Sequence, residues 1–174
     1  MARTYELITD EIKSFIGRQH VFFVGTAPSG AGGHVNVSPK GLDTFRVLDG
    51  HTVAWLDLTG SGIETVSHLR DNGRVVVMFC AFEGPPRIVR LHGHGEVLPS
   101  DDAGARALLD GIPEYPGSRA VVRVAVERVS TSCGYAVPLM DYRGERSTLI
   151  EWAERKGSAG IAEYHAQNNA RSLD

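Results

Sequence analysis

The spacing of the β-rich runs most constrains what this chain can fold into. Val21 to Thr26, Gly33 to Ser38, Thr44 to Leu48, Thr52 to Leu58, Arg74 to Phe79, Arg87 to Leu98 and Ala120 to Val129 are parted by punctuation such as "APSGAGG", "SPKG" and "LDGH". Regular βαβ crossovers need roughly a dozen residues or more each, and most of these gaps are too short for them. The spacing predicts a mainly β fold with peripheral helices, its antiparallel sheet closed into a small barrel. Leu7, Ile8, Ile12, Phe15 and Ile16 recur at helical spacing, which predicts an opening helix over Tyr5 to Ile16. Further helices are expected over Ile63 to Arg70, over Asp101 to Leu109 with Ser100 as N-cap, and from Ser147 to about Asn169, broken near "KGSAG".

With 174 residues, 42% of them hydrophobic, and no linker or internal repeat, one domain over residues 1–174 is expected. A net charge of -3, with basic residues neither in excess nor clustered, argues against nucleic acid and against an anionic membrane as partners. No apolar stretch approaches the ~20 residues of a bilayer span, and "MARTYELITDEIKSF" lacks the order of a signal peptide, so a soluble, cytoplasmic protein is expected. The two cysteines, Cys80 and Cys133, form no C-x-x-C and are read as reduced thiols.

Three stretches carry chemistry. In "DLTGSGIET", Ser61 and Glu64 have the S-x-x-E spacing of a capping box, while Gly60 and Gly62 expose backbone N–H groups at a helix start, a seat for an anion. The two uses compete for the same donors, and the residues alone leave both open. In "GHVNVSPKGLDTF", alternation puts His34, Asn36 and Ser38 on one strand face and Val35 and Val37 on the other. Pro39 is expected to end the pairing, and Lys40 to project from a turn within reach of Asp43. In "EGPPRIVRLHGHGEV", His92, His94 and Glu96 share a face, but no further ligand arrives with metal spacing and no metal is expected. P-loop, G-x-S-x-G and Rossmann fingerprints are absent from the sequence.

These stretches, in this order, resemble the pyridoxamine 5'-phosphate oxidase-like family of flavin-binding split β-barrels. Ser38-Pro39-Lys40-Gly41 and Thr59-Gly60-Ser61-Gly62 are its strongest marks, and the tail "NNARSLD" fits a branch described only as oxidase-related or FMN-binding. The resemblance implies a homodimer of six-stranded split barrels with FMN in a groove between subunits. It implies that Val35, Asn36, Val37, Ser38, Pro39 and Lys40 run along the flavin, with Lys40 meeting the substrate. Trp55, Leu56 and Asp57 would form the next flavin-facing strand, Thr59, Gly60, Ser61 and Gly62 the phosphate loop, and Arg87 and Arg90 a further cofactor-binding strand. Trp55 or Trp152 would close over the ring.

The family's cationic and amide contacts are replaced here by Val35, Gly62, Ile63 and Ile88. The resemblance therefore implies an FMN-dependent or deazaflavin-dependent oxidoreductase acting on an unknown small molecule rather than a true pyridoxamine phosphate oxidase. Arg70, Arg74 or Arg87 are candidates to make up the lost charge. The alternative is a non-catalytic or haem-binding barrel, for which His34, His92, His94 and His165 are the candidate axial ligands.

Overall fold

The computed structural model describes residues 2–173; Met1 and Asp174, the outer ends of the opening segment and tail read above, lie outside the described residues. Eight described strands form one antiparallel sheet: β1 (Arg3–Tyr5), β2 (Phe22–Thr26), β3 (Asn36–Lys40), β4 (Phe45–Val47), β5 (Thr52–Leu58), β6 (Arg74–Cys80), β7 (Ile88–Pro99) and β8 (Ser118–Ser132). Their order is β3-β2-β6-β7-β8-β5-β4, with β1 paired to β8. The sheet curls into a half-barrel whose edges are β3 and β4. The sheet thus has eight strands where the resemblance implied six, and β1 and β4 are the shortest, with three residues each.

Alternation along β5, β6, β7 and β8 sends one side chain in two inward. Val24, Val53, Trp55, Val77, Phe79, Val89, Leu91, Val122 and Val124 meet in the core. Helix α1 (Asp10–Ile16) plugs one end with Ile12, Phe15 and Ile16 and is N-capped by Thr9, whose Oγ1 accepts from Ile12 N at 3.3 Å. Helix α2 (Glu64–Asn72) ends at Gly73, where φ is +70° and a side chain would be strained. Gly93 sits at a register shift between β7 and β8, and a Cβ there would lie 2.0 Å from the Ala125 carbonyl oxygen. That close backbone approach is what requires glycine.

Several expectations need correction. The opening helix starts at Asp10 rather than Tyr5, because the preceding residues add β1 to the sheet. Pro39 does not end β3: it pairs with Phe23, which an edge strand tolerates because a proline's missing N–H can face away from the ladder. Helix α3 (Ala103–Ala107) is shorter than expected and is capped by Asp102, not Ser100, whose hydroxyl donates instead to the Ser118 carbonyl. The expected break in the C-terminal helix α4 (Thr148–Asn168) is present at Gly157, with φ +63°.

Candidate functional site

The site is organised around Asp57. This residue occupies an otherwise apolar strand, β5, and is fully buried. Its Oδ1 accepts from Lys40 Nζ at 2.7 Å, and its Oδ2 accepts from Arg119 Nε and Nη2 at 2.9 and 2.7 Å. Burial alone would raise the Asp57 carboxyl, but the charges of Lys40 and Arg119 more than reverse this and hold it below the ordinary carboxylate value. Lys40 is therefore held by Asp57 rather than by the expected Asp43, which pairs with Arg46.

The three residues together carry one net positive charge, and Lys40 and Arg119 face a groove of about 1510 Å³. Arginine has five N–H donors and lysine three. Arg119 also donates to Gly62 O and Asn169 Oδ1, both at 3.0 Å, leaving one N–H unpartnered, while Lys40 keeps two.

The loop over Thr59 to Gly62 forms the groove's next wall. Thr59 is buried and its hydroxyl points away from the groove, 2.6 Å from Gly117 O and 2.7 Å from His165 Nε2. A hydroxyl has one proton, and Thr59 donates it to the Gly117 carbonyl. His165 Nε2 must then carry the proton it donates to Thr59 Oγ1, which fixes the tautomer. Asn169, just beyond α4, donates from Nδ2 to Gly60 O at 3.2 Å and so ties the tail to the loop.

The expected capping box is not formed. The N-cap of α2 is Ile63, with no side-chain cap bond, and the Glu64 carboxylate lies against Gly62, where its Oε2 would be 2.1 Å from an added Cβ. The loop has its carbonyls held by Arg119 and Asn169, and a carboxylate stands over the end where an anion was expected.

His165 is held below its ordinary value near 6.5 by burial and by the neighbouring Arg119 charge. A base held down in the folded state contributes stability that is complete above its unfolded value and is lost as pH falls below about 6.5, since the unfolded chain then binds the extra proton. Thermal melts between pH 8 and pH 5 are expected to show a falling melting temperature toward acid. His165→Gln is expected to flatten part of that slope; an unchanged slope would show that His165 does not contribute to it.

Of the residues expected at the site, Asn36, Val37, Ser38, Pro39, Lys40, Leu56, Thr59, Gly60, Ser61 and Gly62 line the groove, with Asp57 directly behind Lys40. Asn36 Nδ2 donates to Ser38 Oγ and Thr65 Oγ1, both at 3.1 Å, so the polar face of β3 is tied down toward α2. Four residues lie elsewhere. Trp55 is in the barrel core against Phe22, because the alternation of β5 sends it inward. Val35 is exposed, Arg87 pairs with Glu11, and Arg90 bonds Ser132. None of the expected axial histidines lines the groove of this chain; His94 faces Glu127, and His165 is bound to Thr59.

Sequence reading missed Arg119, Asn169, His20 and the segment over residues 140–146. His20 stacks on Tyr142 with ring centroids 3.5 Å apart. Arg119 had a signal: an aspartate inside "VAWLDL" needs a buried cation, and "SRAVVRVAV" offers one at the head of an apolar run.

The family model for pyridoxamine 5'-phosphate oxidase matches residues 8–133, most of the chain. The chain belongs to the pyridoxamine 5'-phosphate oxidase family. Within it, the chain is 41% identical over 187 residues to the pyridoxamine 5'-phosphate oxidase family protein ustO of Aspergillus flavus, covering 98% of this chain and 75% of that one. A crystal structure of HupZ from Group A Streptococcus matches at 27% identity and TM-score 0.55, over 70% of this chain and 91% of that one. A FAD-binding protein from Mesorhizobium loti matches in fold at 18% identity and TM-score 0.50, over 75% of this chain and 96% of that one. Residues beyond Cys133 lie outside the matched family model, yet Met140, Arg146 and Trp152 line the groove. Among the described residues no helix is long and apolar enough to cross a membrane.

Proposed function

We propose that this member of the pyridoxamine 5'-phosphate oxidase family is a flavin-dependent oxidoreductase, active as a homodimer, that binds FMN in the groove lined by β3, β5 and the Thr59 to Gly62 loop. The observation that carries this reading is the charge set of Lys40, Asp57 and Arg119, which leaves one net positive charge and spare N–H donors facing the groove. Those donors suit the flavin phosphate and stand in for the cations that Gly62 and Ile63 replace. The fit is better there than at Gly62, where Glu64 would repel an anion.

Leu56, Leu58 and Val37 supply apolar surface for the ring system. A bound flavin supplies hydride transfer. The chain's own part is to orient and desolvate: Asp57 fixes Lys40 at the groove, and Asn36 holds Ser38 in place. Val35, just before the edge strand β3, and Val37 within it are exposed at 75% and 61%, a surface suited to a second copy of the chain.

Absorption spectra and FMN titration of the purified chain test the reading. Two broad near-visible bands, or a melting temperature that rises and saturates with micromolar FMN, is the expected result. A chain indifferent to FMN and FAD but stabilised by haem would overturn it.

A further inference from the structure

We propose that the segment beyond residue 133 builds a substrate subsite for an organic anion, a carboxylate or phosphate on an aromatic body, held by Arg143, Arg146 and Arg155 beside Trp152. The proposal deepens the oxidoreductase reading and rests on it for calling this ligand the substrate.

The segment over residues 140–146 is pinned across the groove from both sides. Met140 N donates to Phe82 O at 2.9 Å, and Tyr142 N donates to Glu83 Oε1 at 3.0 Å, fixing it to the turn after β6. Leu42 N donates to Glu145 Oε2 at 3.1 Å, fixing it to the turn after β3. Tyr142 adds its stack on His20 and a hydrogen bond from its hydroxyl to Glu145 Oε1 at 2.9 Å.

Two carboxylates of this wall, Glu83 and Glu145, are thereby committed to holding the segment. The arginines are not: Arg143, Arg146 and Arg155 line the groove, and none has an ion pair or hydrogen bond among the described residues. Asp141 and Glu64 also line the groove, and neither pairs with them. Guanidinium forks match a carboxylate or a phosphate in two-point geometry. Trp152 provides the aromatic contact, its ring set at 82° to Tyr164 and covered by Lys156 at 5.4 Å.

The cations of this wall are distinct from Lys40 and Arg119. The flavin phosphate and the substrate anion would therefore be held by separate sets of cations, the first by residues of the family module and the second by the segment added to it.

The test uses the full chain, with and without saturating FMN, in equilibrium dialysis against 4-nitrobenzoate, 4-nitrophenyl phosphate and neutral 4-nitrobenzamide. At least one anion is expected to bind about tenfold or more tighter than the amide, with the preference falling as salt is raised because the arginines are exposed. Which of the two anions binds tighter separates a carboxylate subsite from a phosphate one. The combined variant Arg143→Ala, Arg146→Ala and Arg155→Ala is expected to lose the preference and to keep its FMN uptake. Equal binding of amide and anions, no binding of any probe, or a preference that survives in the variant would overturn the subsite. Failure of the wild-type chain to take up FMN would overturn the flavin reading instead, and the dialysis without FMN would still judge the anion site.

Discussion

Asp57→Ala is expected to destabilise the protein by about 3–5 kcal/mol, the cost typical of removing one partner from a buried ion pair. The loss is not that of a contact alone. Asp57 is fully buried and holds Lys40 and Arg119, and its removal leaves two cations facing each other across the vacated space with no carboxylate between them. The penalty is therefore repulsion and desolvation as much as a missing attraction. Adding Arg119→Met to Asp57→Ala should recover part of the loss, because it removes one of the stranded charges; the two changes should be far from additive. Denaturant unfolding of the two single variants and the double variant measures this directly. Additive effects, or an Asp57→Ala cost below about 1 kcal/mol, would show that the triad is not the close-coupled unit its distances indicate.

Arg119→Met alone is expected to weaken FMN binding by about tenfold to a hundredfold, since a hydrogen bond to a charged group contributes roughly 1.5–3 kcal/mol. Its effect on binding should exceed that of Ser61→Ala, because the spare charged donors beside the Thr59 to Gly62 loop belong to Arg119 and Lys40. The side chain also holds Gly62 O and Asn169 Oδ1, so its loss frees the loop it would present to the ligand. Fluorescence titration with FMN measures the change. An unchanged dissociation constant would remove Arg119 from the flavin contacts and return the Thr59 to Gly62 amides as the anion seat.

The strand pattern was legible because alternation and turn residues are local: β5 runs over Thr52–Leu58 as its sequence predicts, and β6 differs by one residue. Boundaries failed where a long-range partner decided them. β3 shifted toward Lys40 because its register is set by β2, and α3 lost its predicted first turn because Asp102 rather than Ser100 met the free N–H groups. The site was legible in one half. Residues from Asn36 to Lys40 and from Thr59 to Gly62 reach the groove as their motifs indicated, while Trp55 was misassigned because position in a motif does not say which face of a strand a side chain takes. Arg119 and Asn169 lie 62 and 109 residues along the chain from the groups they bind at Asp57 and Gly60, and no local pattern encodes such a pairing.

That distance has a consequence for the order in which the protein is made. The last barrel strand is complete at Ser132, so the curled sheet can collapse before Asn169 is added, a few seconds of elongation later at ~5–20 residues per second. Until Asn169 docks, Gly60 O lacks its side-chain donor and Arg119 lacks one of its acceptors. The nascent chain thus passes through a stage that has a barrel but not a finished groove. The groove is finished only when Asn169 docks, and a version of the protein cut before that residue would keep its sheet but lose the contact that ties Gly60 and Arg119 to the segment after α4.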